Sequence, residues 1–198
     1  MIDLTRTTTQ LLEGLRHSDD AEAWMQFERR YRALLHNFAR KLGLSDADAE
    51  DAAQEAITRF ITEYRQGKYD REKGQLRSWL IGIVRYRVLE ARRRQARSAQ
   101  PLPGDDLLED EQGLTRIWDQ ERREHILRHA MEQLRTQTSM ADKTLNAFDL
   151  LVTRQMSPKD VAQSLGMSVH DVYLAKNRCA TRLREFIEQL ETVYDAEQ

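Results

Sequence analysis

Apolar side chains return at steps of three and four through the first half of the chain, and that period constrains the fold more than any other feature. Trp24, Phe27, Tyr31, Leu34, Phe38 and Leu42 draw a stripe along one side of a helix. Gly43 stands where a helix-ending glycine belongs. Ser45-Asp46-Ala47-Asp48 then reads as a capping box, in which the Ser45 hydroxyl takes an orphan amide and acids suit the first turn. The helix it opens buries Ala49, Ala53, Ala56, Ile57, Phe60 and Tyr64. Its other side presents Asp48, Asp51, Gln54 and Glu55 as a narrow acid-and-amide strip. A third stripe, Leu76, Leu80, Ile83, Val84, Val88 and Ala91, carries arginines on its far side, and Trp79 near it reads as core. With 8 glycines and 3 prolines in 198 residues, turn formers are too few for a sandwich or barrel. The expected class is all-α: two small helical domains joined by a flexible acidic linker.

The second half supplies two more stripes, Ile117, Leu127, Ala130, Met131 and Leu134, then Leu145, Phe148, Leu151 and Val152. Ser157 is placed to cap a short helix with Pro158 at its first position and Asp160 three on from the cap. That helix buries Val161, Ala162 and Leu165 and stops at Gly166. Ser168-Val169-His170-Asp171 is a second capping box, and Val172, Cys179, Leu183, Phe186 and Leu190 face inward behind it. Two capped helices joined by a short glycine turn form a helix-turn-helix unit. The second helix would offer His170, Tyr173, Lys176, Asn177 and Thr181 to the major groove. Asn suits adenine there, and cations suit guanine or phosphate. The plain alternative is an ordinary helical hairpin.

Charge is segregated. Ser45–Glu55 holds five acids and no base, and Val84–Arg97 holds six arginines (Arg85, Arg87, Arg92, Arg93, Arg94, Arg97) against Glu90. Asp105–Glu111 is acidic again, and Val172–Arg184 carries Lys176, Arg178, Arg182 and Arg184 with no acid. The net charge of −2 averages over these blocks. Alternation of this kind points to separate surfaces for separate partners, the basic ones suited to a polyanion. Ser98–Gly113, with Pro101 and Pro103, lacks a helical period. The expected organisation is a domain over 1–97, a flexible acidic linker over 98–116 and a second domain over 117–198. Between the second and third stripes, Gln66–Gln75 exposes Tyr69 among Lys68, Arg71 and Lys73. An aromatic between cations can stack an unpaired base; the other reading folds Tyr69 back on the core.

Several functions are excluded. One cysteine allows no internal disulfide and no Cys-rich zinc site. Met1–Gln10 is rich in Thr without an apolar core, so it does not read as a signal peptide. No stretch approaches the roughly 18 apolar residues of a membrane span. A cytoplasmic protein without membrane insertion is expected. The five histidines join no catalytic constellation and no glycine-rich phosphate loop is present, so an enzyme is not expected, nor a cofactor or metal. His125 and His129, four apart, read as a solvated face. The segment after Ile187, with Leu190, Val193 and Tyr194, either extends the last helix or docks on a regulator.

Together the two halves resemble a sigma factor, the promoter-specificity subunit of bacterial RNA polymerase, of the compact extracytoplasmic-function type in the sigma-70 family. DAEDAAQEAITRF (Asp48–Phe60) is similar to the region two helix that grips the polymerase clamp. YDREKGQLRSWLIGIVRYRVLEARRR (Tyr69–Arg94) resembles the part that melts and reads the minus-ten element. SPKDVAQSLGMSVHDVYLAKNRCATRLRE is similar to region four, which reads the minus-thirty-five element. The resemblance implies RNA polymerase core and promoter DNA as partners, with room for an anti-sigma factor or other regulator. It implies that Asp48, Asp51, Gln54 and Glu55 meet polymerase. Lys68, Tyr69, Arg71, Lys73, Arg85, Arg92 and Arg93 would meet the minus-ten strand. His170, Tyr173, Lys176, Asn177, Arg178, Thr181 and Arg182 would meet the upstream element. Tyr86 stands where the family often has Asn, and Leu174 and Ala175 where Ser and Arg are common, so base preferences do not carry over. A helix-turn-helix regulator that never engages polymerase is the competing function, and a helical adaptor for protein partners a third.

Overall fold

The computed structural model describes residues 8–16, 20–69, 75–96 (side chains to 93), 108 and 110–194. Among them the secondary structure is all helical, as the periodicity requires. The helices are α1 (Thr8–Arg16), α2 (Ala21–Lys41), α3 (Asp46–Arg65), α4 (Leu76–Ala96), α5 (Glu111–Thr136), α6 (Asp142–Phe148), α7 (Pro158–Leu165) and α8 (Val169–Tyr194). A π-helical turn, Asp149–Thr153, follows α6. The chain divides into two compact units, one from Met1–His125 with Thr192–Gln198, the other from Ile126–Glu191.

In the first unit the local signals act where the stripes put them. Asp20 caps α2, and the Gly43 φ of +96° ends it with a Leu44 N–H to Ala39 carbonyl bond of 3.2 Å. Ser45 caps α3, accepting from the Asp48 amide at 3.1 Å. Phe27, Tyr31, Leu34, Phe38 and Leu42 of the first stripe are buried, as are Phe60 and Tyr64 of α3 and Leu80, Ile83, Val84 and Val88 of α4. Arg32 bonds to both Glu28 and Glu50, which clips α2 to α3.

Two expectations need correction. Residues 111–116, assigned to the linker, are the first turns of α5. Asp110 supplies the cap: its carboxyl, held below the usual carboxylate range chiefly by the Gly113 amide, sits where a Cβ at Gly113 would come within 2.6 Å of it. Leu114 and Trp118 are then buried, Trp118 edge-on to Phe38 at 5.3 Å. Of the linker upstream, 98–107 and 109 lie outside the described residues, while Leu108 is buried. Second, His125 and His129 do not form a solvated face. His125 is 1 % exposed and meets the Tyr194 ring edge-on. Burial lowers the His129 pKa, against the partial support of Glu132. The chain is also helical over Thr8–Arg16, where Leu11, Leu12 and Leu15 are buried.

The first unit also takes in both ends of the chain. Glu121, 1 % exposed, bonds to Asn37 at 3.0 Å and pairs with Lys41 at 2.9 Å. Burial opposes the Lys41 charge, but Glu124 and Glu121 outweigh it and raise its pKa. The last described residues extend α8 to Tyr194, whose hydroxyl donates to the Arg30 carbonyl at 3.2 Å. Thr8 Oγ1 donates to the Val193 carbonyl at 2.8 Å. The Tyr194 ring lies edge-on to Tyr31, with the Arg30 and Arg122 guanidiniums 5.8 and 5.6 Å from its centre.

The second unit centres on Ala147, Val161, Ala162, Val172 and Ala175, with Leu150, Leu151, Met156, Leu165 and Met167 packed around them. Within the π-helical turn Asp149 draws in Arg135 and Arg154 at 3.2 and 3.4 Å. Gln155, at φ +53°, reverses the chain into α7.

All three tryptophans (Trp24, Trp79, Trp118) lie in the first unit, so their fluorescence reports its unfolding. Tyr194→Ala is expected to cost about 3–5 kcal/mol in a urea titration followed this way, as a fully buried large ring does, and Tyr194→Phe about 1 kcal/mol. An unchanged midpoint for Tyr194→Ala would remove the ring from the core.

Candidate nucleic-acid interface

The strip on α3 divides into residues that are available and residues already engaged. Asp51 and Gln54, one turn apart, are exposed. Asp48 is half-buried and closes the capping box, accepting from the Ser45 hydroxyl at 2.5 Å. Glu55 is half-buried and pairs with Arg87 of α4 at 2.7 Å. A protein partner approaching this strip meets Asp51 and Gln54 first.

The expected strand-binding residues divide similarly. Lys68 is exposed just past α3, where Gly67 at φ +71° turns the chain. Tyr69 does not stack outward: it is 6 % exposed, edge-on to Phe60 at 5.5 Å and to Trp79 at 5.6 Å. Of the two readings of its sequence context the core one holds, because neighbouring rings offer more buried area than water can compensate. Arg71 and Lys73 lie outside the described residues, as does the Arg94 side chain. Arg85 is half-buried, and Arg93 is exposed. Arg92, half-buried, donates to the Leu42 carbonyl at 3.2 Å, satisfying the end of α2. The exposed aromatic on this side is instead Tyr86, which in the sequence stands out only as a departure from the family pattern. Its one signal there is position: it lies four residues beyond Gly82 on the outward side of α4.

The two helices α7 and α8 form as their caps require. Ser157 accepts from the Asp160 amide at 3.2 Å, and Gly166 ends α7 in the left-handed region at φ 57°. Ser168 accepts from the Asp171 amide at 3.0 Å to open α8. Val172, Ala175, Cys179 and Phe186 form the buried stripe of α8. Opposite it, His170, Tyr173, Asn177, Arg178 and Thr181 are exposed together with Leu174. Lys176 is exposed on the flank. Arg182 is half-buried on the other flank, pairing with Glu185 at 2.6 Å and lying 4.3 Å from the Phe186 ring centre. These outward residues span the first three turns of α8, with Leu174 an apolar side chain among them.

Among the described residues no group of His, Cys, Asp and Glu could hold a metal ion, and no helix is long and apolar enough to cross a membrane. Residues 28–98 match the family model described as Sigma-70 region 2. The matched segment spans α2 to α4 and so contains Asp51, Gln54, Glu55, Lys68 and Tyr86. No curated protein matches the chain.

The Asp171 carboxyl is held below the usual range, first by the Ser168 hydroxyl that donates to it at 2.6 Å. Its folded pKa is thus depressed. Its contribution is complete above the unfolded value of about 3.9 and is lost as pH falls through the lower folded value. Asp171→Asn is expected to lower the melting temperature at pH 7 and to flatten its decline between neutral and acid pH. Parallel acid profiles for the two proteins would exclude Asp171 from the cap.

Proposed function

We propose that this chain is a sigma factor of the extracytoplasmic-function type, a non-enzymatic subunit that brings bacterial core RNA polymerase to its promoters. The match of 28–98 to Sigma-70 region 2 carries the proposal. The doubly capped helix-turn-helix adds a second reader of the kind that region four supplies. The acid-and-amide strip led by Asp51 and Gln54 would dock on polymerase, with Asp48 and Glu55 at its margin. The α3–α4 end near Lys68, Arg85, Arg92 and Arg93 would meet the minus-ten strand. The outward side of α8 would meet the upstream element, His170, Tyr173, Asn177 and Thr181 facing bases and Lys176, Arg178 and Arg182 phosphates. Such work places the protein in the cytoplasm, and an anti-sigma factor would act on these same surfaces.

Physical chemistry favours this division. Each reader is small and offers a short cationic surface, so each binds DNA weakly alone. Held on polymerase at promoter spacing, the second binds at the effective concentration set by the first. The second unit begins within α5, at Ile126.

Asp51→Lys is expected to abolish co-purification with core polymerase while leaving the circular dichroism spectrum unchanged; undiminished co-purification would refute the docking strip. Lys176→Ala with Arg178→Ala should shallow the salt dependence of upstream DNA binding by about 0.9 log–log units for each phosphate that the two side chains neutralise. Run-off transcription by core polymerase with and without the chain tests the whole reading. Tight binding to duplex targets without polymerase would replace it with a plain helix-turn-helix regulator.

A further inference from the structure

The last turn of α8 belongs to the first unit, although the rest of that helix belongs to the second. Tyr194 is fully buried there, with the Arg30 and Arg122 guanidiniums within 5.8 Å of its ring centre and Tyr31 edge-on to it. One residue earlier, the Val193 carbonyl accepts from Thr8 Oγ1 at 2.8 Å and from the Arg30 guanidinium at 3.4 Å. The final carbonyls of a helix find no partner inside it. Thr8 of α1 and Arg30 of α2 therefore cap α8 from outside, and the cation also suits the negative end of its dipole. Arg30 is 1 % exposed, so its charge depends on such partners. Nothing in the proposed division between two readers uses this seat. The second unit is thus held at both ends: α5 runs into it at Ile126 and α8 runs out of it at Glu191, neither helix breaking there.

We propose that Thr192–Tyr194 is an autoinhibitory latch, which must leave its seat before the chain can engage both promoter elements at once. The inference rests on the sigma reading for the partner that draws the latch out. An unbroken α8 acts as a ruler. With Tyr194 seated, His170 lies about 36 Å from it along the helix, at 1.5 Å per residue. The seat shares a compact unit with the minus-ten residues, and a unit of that size is roughly 36 Å across. The seated helix therefore reaches about 72 Å at most, whereas elements some 25 base pairs apart are separated by about 85 Å at 3.4 Å per pair. Release has a modest cost, because water can replace the Val193 carbonyl at Thr8 and Arg30 and only one ring is uncovered. The caps and buried stripe of α8 within the second unit are untouched by it. The latched fraction lowers the apparent affinity for a promoter in proportion to its population.

The test begins with hydrogen–deuterium exchange on the unaltered full chain, alone and with core polymerase and promoter DNA. The amides of the last turn of α8 should be protected in the free chain and exchange about tenfold or more faster in the complex. The amides of α2 and α3 should keep their protection. Run-off transcription at limiting core polymerase then compares the parent with Tyr194→Ala and with a chain lacking Thr192–Gln198. Both variants should reach half-maximal transcription at about tenfold lower concentration, and Tyr194→Phe, which keeps the ring, should stay close to the parent. A merely structural role for Tyr194 would lower transcription in these variants and never raise it. Should either variant lose its fold, exchange in the unaltered chain still decides. An unprotected last turn in the free chain, or a last turn equally protected in the complex, would overturn the latch. A chain that protects this turn but binds no core polymerase would instead overturn the sigma reading, and the release step with it.

Discussion

The rings that run from Phe27 through Phe60 and Tyr69 to Trp79 are the constraint on which the first unit's surfaces depend. Phe27 stacks on Phe60 at 5.3 Å, and Phe60, Tyr64 and Trp79 all meet Tyr69 within 5.7 Å. These rings bind α2, α3, the turn after α3 and α4 into one register, each pair adding about 0.5–1.5 kcal/mol beyond its buried area. With the register fixed, α3 serves two purposes along its length. Its first half offers Asp51 and Gln54, and Arg59 and Glu63 emerge two turns later, about 12 Å along the axis at 1.5 Å per residue. The acid surface and the basic end near Lys68 are thus separated by distance on one rigid helix. Neither has to compete with the other for a partner.

Electrostatics within the unit trims what the charge blocks offer. The six arginines of Val84–Arg97 suggest a strongly basic face. Yet Arg87 is shared between Glu55 and Glu90, and Arg92 is engaged by the Leu42 carbonyl. Partly exposed pairs such as Glu55–Arg87 are worth little in stability. Their effect is to set which charges a partner sees: Asp51 on the acid side, Lys68 and Arg93 on the basic side.

Local signals were legible in the sequence because their causes are local. Ser45, Ser157, Ser168, Gly43 and Gly166 act over three or four residues, and each ends or starts a helix where its spacing implies. The stripes were legible because a helix forces its period on whatever it buries. The misses share the opposite property. Tyr69 lies in a loop whose composition suits solvent, and only rings from two other helices draw it inward. Thr8 meets Val193 across 185 positions of sequence, and Tyr194 meets the Arg30 carbonyl across 164. No window of sequence contains both partners of such pairs. The available side of α3 was visible as a strip, but Arg87 had to be placed in space before Glu55 could be separated from Asp51.

The outward side of α8 carries an apolar group where base discrimination would call for polar ones. Leu174 stands among His170, Tyr173, Asn177 and Thr181, and a leucine suits a methyl group where a longer polar side chain would match donors and acceptors. Under the proposed sigma reading, two small readers would gain selectivity mainly by having to be satisfied together at a fixed separation. On that logic, spacing between the two promoter elements would discriminate more sharply for this chain than any single base within either.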